Sequence, residues 1–251
     1  MNKSAIITLA GTSTRFSKSV GRECHKSLFR ETPESGNLLE WQIGMLEENG
    51  FGKIILVGGY RYDELEAQVK NRFADLDIVL VKNNHYQDWG SCYSLCLGVE
   101  ALPDDAGQIV FLEGDLLFDK KTFALLVANP VDAITSTQTI VDARTSVAFY
   151  ISDEGRLRYV YDSKHKCLTI GEPFVCVGNS GQVWQFSDAA RLKASVAKLG
   201  EAEWRGTNLI PILNYFNGID CNCISVYSFE AWFNCNTIAD YRAMRQYVKE
   251  V

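Results

Sequence analysis

No apolar run in this chain approaches the roughly 18 residues that a membrane span requires. The longest early run, residues 5–10, is too short for a signal peptide and leads into Gly11-Thr12-Ser13-Thr14-Arg15 instead of a small-residue cleavage site. Positive charge is also in short supply, with 25 Lys and Arg against 31 Asp and Glu and a net charge of −6. Such a balance carries no electrostatic footprint for nucleic acid or an anionic bilayer. Histidine is scarce, and His25, His85 and His165 are not spaced as metal partners. The eight cysteines include no Cys-x-x-Cys pair, which argues against a zinc motif and a disulfide framework alike. Reduced thiols packed as small buried hydrophobes are the expectation, with Cys221 and Cys223 on a strand. Repeats, low-complexity tracts and linkers are missing too. Together these absences predict a soluble cytoplasmic protein with neither a nucleic-acid nor a membrane partner.

What is present is an ordinary globular composition, 47% hydrophobic and 22% charged over 251 residues, enough for one large α/β domain. Continuous apolar strands are predicted over 5–9, 53–57, 78–81 and 109–112. Helical spacing marks Leu38, Leu39, Ile43 and Leu46, then Leu65, Val69 and Phe73, then a helix N-capped by Ser91. Strands alternating with helices imply a mostly parallel sheet built from right-handed crossovers. The pattern changes near Ala133. A hairpin of 146–151 with 156–161 turns at Asp153-Glu154-Gly155, and strand pieces follow at 174–177 and 183–186. Helices are expected over 188–199 and 207–215, with a strand at 223–227 between them and a last helix opened by the capping-box pattern Thr237-Ile238-Ala239-Asp240. The fold class is therefore α/β: a Rossmann-like mixed sheet flanked by helices, with an antiparallel-rich second half. We read residues 1–251 as one domain, with a nucleotide-binding first half, 1–130, and an antiparallel-rich second half, 131–251.

Ligands of open parallel sheets bind beyond the carboxyl ends of the strands, and three features fall there. Leu9-Ala10-Gly11-Thr12-Ser13-Thr14-Arg15 follows the first strand, where small residues admit backbone N–H groups to phosphate oxygens and Arg15 adds a charged fork. It is neither a Walker loop nor a dinucleotide fingerprint, since Ser13 stands at the second glycine position. Asp115 ends the fourth strand, a position from which a carboxylate holds Mg²⁺ against phosphate oxygens, and Glu113 lies on the same side of that strand. Lys26 follows ten residues after the loop, within reach of a bound triphosphate. Each taken alone has a plainer reading: a polar turn, an acidic strand end, a solvated lysine.

Taken in order, these residues resemble the single-domain nucleotidyltransferase family. The likeness is carried by Ala10 to Arg15, Lys26-Ser27-Leu28, Gly59-Tyr60, Asn84-His85-Tyr86, Ser91-Cys92-Tyr93-Ser94-Leu95, Asp115 and Phe233-Asn234-Cys235-Asn236-Thr237. The segment from Asn84 to Leu95 is most similar to choline-phosphate and phosphonate cytidylyltransferases. Leu9 stands for the family's first Ala, Ser13 for its second Gly, His25 for its Pro and Asn236 for a frequent Asp.

The resemblance implies a cytidylyltransferase that moves CMP from CTP to a small phosphonate or phosphocholine-like acceptor, with Mg²⁺ as cofactor and release of pyrophosphate. Arg15 and Lys26 are then the catalytic cations, and Asp115 and Asn236 the metal ligands. Leu9, Ala10, Gly11, Thr12, Ser13, Gly59, Tyr60, Gly90, Ser91 and Glu113 border the nucleotide, Ser91 serving as helix cap, pyrimidine reader or both. For the acceptor the second half offers the aromatic residues Tyr159, Tyr161, Trp184 and Trp204. It also offers the cations Arg144, Arg156, Arg158, Lys164 and Arg205. Convergent cations favour a phosphonate, and an aromatic box with carboxylates favours choline. The alternatives are a sugar-1-phosphate nucleotidyltransferase and a non-catalytic nucleotide-binding relative; a homodimer is compatible with either.

Overall fold

Four aliphatic runs become adjacent parallel strands in the computed structural model, which describes residues 2–250. They are β1 (Asn2–Leu9), β2 (Lys53–Gly58), β3 (Ile78–Lys82) and β4 (Ala106–Glu113), in the order β3-β2-β1-β4. Ile6 sits opposite Ile55 on one side and Phe111 on the other. Between the strands run α1 (Thr14–Val20), α2 (Leu38–Glu48), α3 (Tyr62–Arg72) and α4 (Ser91–Glu100). After β4 come a short strand β5 (Leu116–Phe118) and α5 (Lys120–Leu126).

Successive side chains of a strand point to opposite faces, and here both faces are covered. Ile6, Ile55, Val57 and Phe111 meet Cys92, Leu95, Cys96 and Val99 of α4. Ala5, Ile7, Leu56 and Val110 meet α2, α3 and α5 through Leu39, Ile43, Leu65 and Phe123. Each such side chain stabilises the fold by about 1.5–3 kcal/mol relative to exposure. That double cover is why these strands read as unbroken apolar runs instead of alternating ones.

The second half contributes β6 (Ala133–Thr137), β7 (Ala148–Ser152), β8 (Leu157–Val160) and β9 (Phe174–Phe186). It continues with α6 (Ala189–Val196), α7 (Glu201–Trp204), α8 (Leu209–Phe216), β10 (Ser225–Phe229), β11 (Trp232–Asn234) and α9 (Ile238–Glu250). The sheet continues β4-β9-β6-β10, with β9 antiparallel to both neighbours, and the β7–β8 hairpin pairs with the first half of β9. A separate antiparallel pair joins β11 to β5. No helix among the described residues is long and apolar enough to cross a membrane.

The two strand pieces expected at 174–177 and 183–186 are one strand of 13 residues. Gly178 and Gly181 break the apolar pattern because they are close-packing points: a Cβ would lie 2.5 Å from the Phe149 ring and 2.6 Å from Thr135 Oγ1 respectively. Gln182, at φ 54°, marks an irregularity where the pairing with β6 slips. Other expectations are also corrected. Cys221–Cys223 form a 3₁₀ turn and the strand begins at Ser225. Cys92, Cys96 and Cys235 are buried, but Cys167, Cys176 and Cys223 are exposed. The cap of α4 is Gly90, and Ser91 is its first helical residue.

A third apolar cluster lies beside the sheet and holds the loop after β1 against the last helix. In it Phe16, Phe29 and Tyr241 pack edge to face, with ring centroids 5.1 to 6.4 Å apart.

Candidate active site

β1 lies between β2 and β4, so the chain turns one way after β1 and the other way after β4. The crevice at that reversal is where an open α/β sheet binds ligands. The loop after β1 enters it through Ser13, whose φ of 54° is left-handed, a conformation that costs a non-glycine residue about 1–2 kcal/mol. Glycine is free of that cost, which accounts for the family's glycine here. Serine recovers part of it, because its Oγ accepts the Lys26 N–H at 3.1 Å.

Lys26 opens a 3₁₀ turn, Lys26–Leu28, that is tied down on three sides. Ser13 holds its backbone, Ser27 Oγ donates to the Gly114 carbonyl at 2.6 Å, and the His25 ring bonds the Leu9 carbonyl through Nε2 at 2.9 Å. His25 is 3% exposed. Burial pushes its imidazole down to about 4, with Lys26 and Arg61 adding to the depression. The ring is therefore neutral at pH 7, with its proton on Nε2 facing the carbonyl. In place of the family's proline, His25 fixes this turn by a hydrogen bond.

From that turn Lys26 Nζ reaches Asp115 Oδ2 at 2.6 Å. The Asp115 carbonyl accepts the Cys235 N–H at 2.8 Å, which brings the segment before α9 to the end of β4. There Arg15 Nη2 donates to Asn236 Oδ1 at 2.9 Å across 221 residues of sequence. The expected capping box forms and steadies that segment: Asp240 Oδ2 accepts the N–H groups of Asn236 and Thr237 at 3.0 and 2.7 Å. Glu113 faces the same crevice. Its Oε1 accepts from Asn208 Nδ2 at 2.6 Å. Burial, with the Asp115 carboxylate beside it, pushes Glu113 up to about 7 against the pull of that hydrogen bond. Asn208 also donates its N–H to Ser91 Oγ at 3.0 Å, linking the start of α8 to the start of α4.

Two chambers meet at Ser91, Glu113 and Asp115. The smaller, of about 240 Å³, lies under Leu9, Gly11, Ser13 and Lys26. The larger, of about 580 Å³, is walled by Arg15, Asn236, Arg144, Trp184, Tyr161 and Trp232. Lys26 and Asp115 thus share the smaller chamber, and Asp115 shares the larger one with Arg15 and Asn236.

Other residues singled out in the sequence lie elsewhere. Ala10 is buried and Thr12 exposed at the rim. Gly59 is wedged against Tyr86 and Ala10, and the Tyr60 N–H bonds the Ala10 carbonyl, so both brace the loop from behind. Gly90 packs on the Arg205–Gly206 backbone. Tyr159 stands behind the wall, accepting from Trp184 Nε1 at 2.7 Å. Trp204 packs on Trp89 and Tyr93 outside the cleft. Of the five second-half cations Arg144 alone lines the larger chamber, and it pairs with Asp142. Sequence reasoning passed over Asn208, Asn234, Asp240 and Trp232 as cleft residues, because polar and aromatic residues near helix starts and strand ends look alike wherever they fall.

The backbone is similar to several solved nucleotidyltransferase structures. One is the inositol-1-phosphate CTP transferase of T. maritima, with a TM-score of 0.71 at 14% identity over 99% of this chain and 97% of that one. Another is the CTP:phosphocholine cytidylyltransferase of Streptococcus pneumoniae, with a TM-score of 0.67 at 19% identity over 99% and 100%. A Bacillus anthracis protein assigned as a glucose-1-phosphate thymidylyltransferase gives a TM-score of 0.69 at 12% identity over 99% and 96%. At such identities the shared property is the fold. No curated protein matches the chain in sequence. A family model described as "Domain of unknown function (DUF6564)" matches residues 22–248, and the chain belongs to that family.

Proposed function

We propose that this chain is a nucleotidyltransferase that moves CMP from CTP to a small phosphate-bearing acceptor, in the cytoplasm. The observation that carries the reading is the pairing of two cations with two oxygen ligands, Lys26 with Asp115 and Arg15 with Asn236, on the walls of two chambers that share Asp115. The smaller chamber takes the triphosphate against the backbone from Leu9 to Ser13, with Lys26 at the α-phosphate, and Arg15 reaches the phosphates from the wall of the larger chamber. The larger chamber takes the acceptor.

The site residues fit a hard divalent cation. Asp115 Oδ1 is buried without a hydrogen-bond partner, and a carboxylate with an amide oxygen is a donor set that Mg²⁺ accepts beside phosphates and water. Bound there, Mg²⁺ supplies positive charge against the phosphate oxygens. The chain itself supplies placement. An acceptor oxygen attacks the α-phosphorus as the bond to the β-phosphate breaks, and pyrophosphate leaves. The acceptor is already anionic, so no general base is required; Lys26 and Arg15 offset the charge that builds up.

The acceptor wall favours a phosphocholine-like molecule over a small phosphonate. Tyr161 and Trp232 line it together with Asp240, Trp184 adds only the 1% of its surface that is exposed, and its two arginines, Arg144 and Arg15, are already engaged by Asp142 and Asn236. Aromatic faces with nearby carboxylates suit an ammonium group. The deciding experiment is pyrophosphate release with CTP and Mg²⁺ against phosphocholine, 2-aminoethylphosphonate, inositol 1-phosphate and glucose 1-phosphate. Lys26→Ala and Asp115→Asn are each expected to lower turnover about 100-fold or more. Turnover that survives both changes removes the mechanism, selective use of a sugar phosphate removes the acceptor, and nucleotide binding without turnover leaves a non-catalytic relative.

A further inference from the structure

Both candidate phosphate-binding cations rest on the two candidate metal ligands. Lys26 Nζ is 2.6 Å from Asp115 Oδ2, and Arg15 Nη2 is 2.9 Å from Asn236 Oδ1. The remaining carboxylate oxygen, Asp115 Oδ1, is buried away from solvent. Neither oxygen of Asp115 is therefore open to an ion arriving alone, and the only amide oxygen of the Asn236 side chain is engaged as well.

The pairs are also well placed to persist. The Lys26 and Asp115 side chains are 18% and 17% exposed, so solvent and salt screen them less than they would a surface pair. Lys26 is held from behind by Ser13, Ser27 and the His25 ring, and the Asn236 backbone is held by Asp240. A bare divalent cation approaching Asp115 meets an ammonium first, and like charges repel. A triphosphate changes the balance, because its oxygens compete for Lys26 and Arg15 and draw both off their resting partners.

We infer that the two contacts form a latch, so that the site takes a divalent cation only together with the triphosphate and does not hold the metal alone. The inference rests on the nucleotidyltransferase reading and adds an order of assembly to it. Because coupling between two ligands is reciprocal, the cation and the triphosphate each tighten the other's binding. The net charge at the junction stays near balance in both states: cations on carboxylate and amide before binding, and cations on phosphate with the metal on carboxylate and amide after it.

The test is Mn²⁺ binding to the full chain, read by the loss of the free-ion electron paramagnetic resonance signal, so that no turnover is involved. Wild type alone is expected to leave the signal unchanged. The α,β-methylene analogues of CTP and UTP chelate Mn²⁺ themselves. With either, the loss of signal beyond that given by the same analogue without protein should correspond to Mn²⁺ held about tenfold tighter or more than by the chain alone. Lys26→Met should bind Mn²⁺ without nucleotide, with a melting curve to show that it is folded. Arg15→Leu frees the second oxygen and provides an independent variant. Mn²⁺ bound equally well by wild type with and without the analogue overturns the latch while leaving the nucleotidyltransferase reading intact. Folded Lys26→Met and Arg15→Leu proteins that both still fail to bind also overturn it. If wild type binds neither analogue, with or without metal, the functional reading itself falls.

Discussion

His25 shows how much of this site is built from groups that never touch a ligand. The buried imidazole is pushed down to about 4, while an unfolded chain titrates it near its ordinary value of 6.5. Between those values the unfolded state binds the extra proton, so stability rises with pH across that window and is lost as pH falls through it. The span corresponds to on the order of 3 kcal/mol. Glu113, pushed up to about 7 from 4.5, acts in the opposite sense, because the folded state then holds the extra proton. The raw curve therefore mixes two slopes, and the useful quantity is a difference. In urea unfolding from pH 4 to 7, wild type minus His25→Gln should show a gap that grows toward acid in favour of the variant; a flat difference refutes the assignment. In the sequence His25 is visible only as a departure from a proline. The carbonyl it bonds belongs to a residue 16 positions away, and no local pattern announces such a pairing. Lys26, Asp115 and Arg15 were legible as cleft neighbours only in combination, through the family resemblance, since each alone reads as a solvated lysine, an acidic strand end or a polar turn. Trp204 and Tyr159 were not separable from Tyr161 and Trp232, since an aromatic residue in the core and one on a cleft wall have the same side chain.

Among the elements, the start of α4 depends on a contact between two backbones. Gly90 has an ordinary φ of −82°, so conformation does not demand glycine there. Proximity does: an added Cβ would lie 1.9 Å from the Gly206 carbonyl oxygen. The neighbouring amides are engaged as well, Gly90 N–H on Trp204 O and Cys92 N–H on Gly206 O. Gly90→Ala must therefore push α4 away from the α7–α8 turn, at a cost of about 2–3 kcal/mol, read as a lower melting temperature. A melting temperature within a degree or so of wild type would show that the two segments separate freely. The alternation of strands and helices through β4 was largely legible, because β1, β2 and β4 are buried on both faces and α2 to α4 show apolar stripes, whereas α1, with Phe16 alone buried, has no stripe to show. The second half was less so. A strand that changes neighbours midway needs small and polar residues at the change, and those are the residues that otherwise mark turns.

The whole molecule is knitted by β9, which belongs to the second half but fills the sheet beside β4 of the first. Residues 1–130 alone would leave one edge of β4 unpaired and would lack Trp184, which stacks on Phe111 with ring centroids 5.3 Å apart. A fragment ending at residue 130 should therefore show neither a cooperative melt nor dispersed amide resonances, and the full chain should unfold in one transition. A folded fragment would mean that the two halves are separable units.

The contact between Arg15 and Asn236 joins residues 221 positions apart, so a segment beside the first strand meets one that is synthesised much later. Closing so long a loop is slow and follows the nearer pairings. The parallel sheet can assemble once β9 has emerged to pair with β4, whereas the cleft cannot be completed until the segment before α9 arrives. Maturation of the site is thus timed by the C-terminal part of the chain. A ribosome-bound intermediate that has released β9 but not residue 236 would carry a formed parallel sheet and an unfinished cleft.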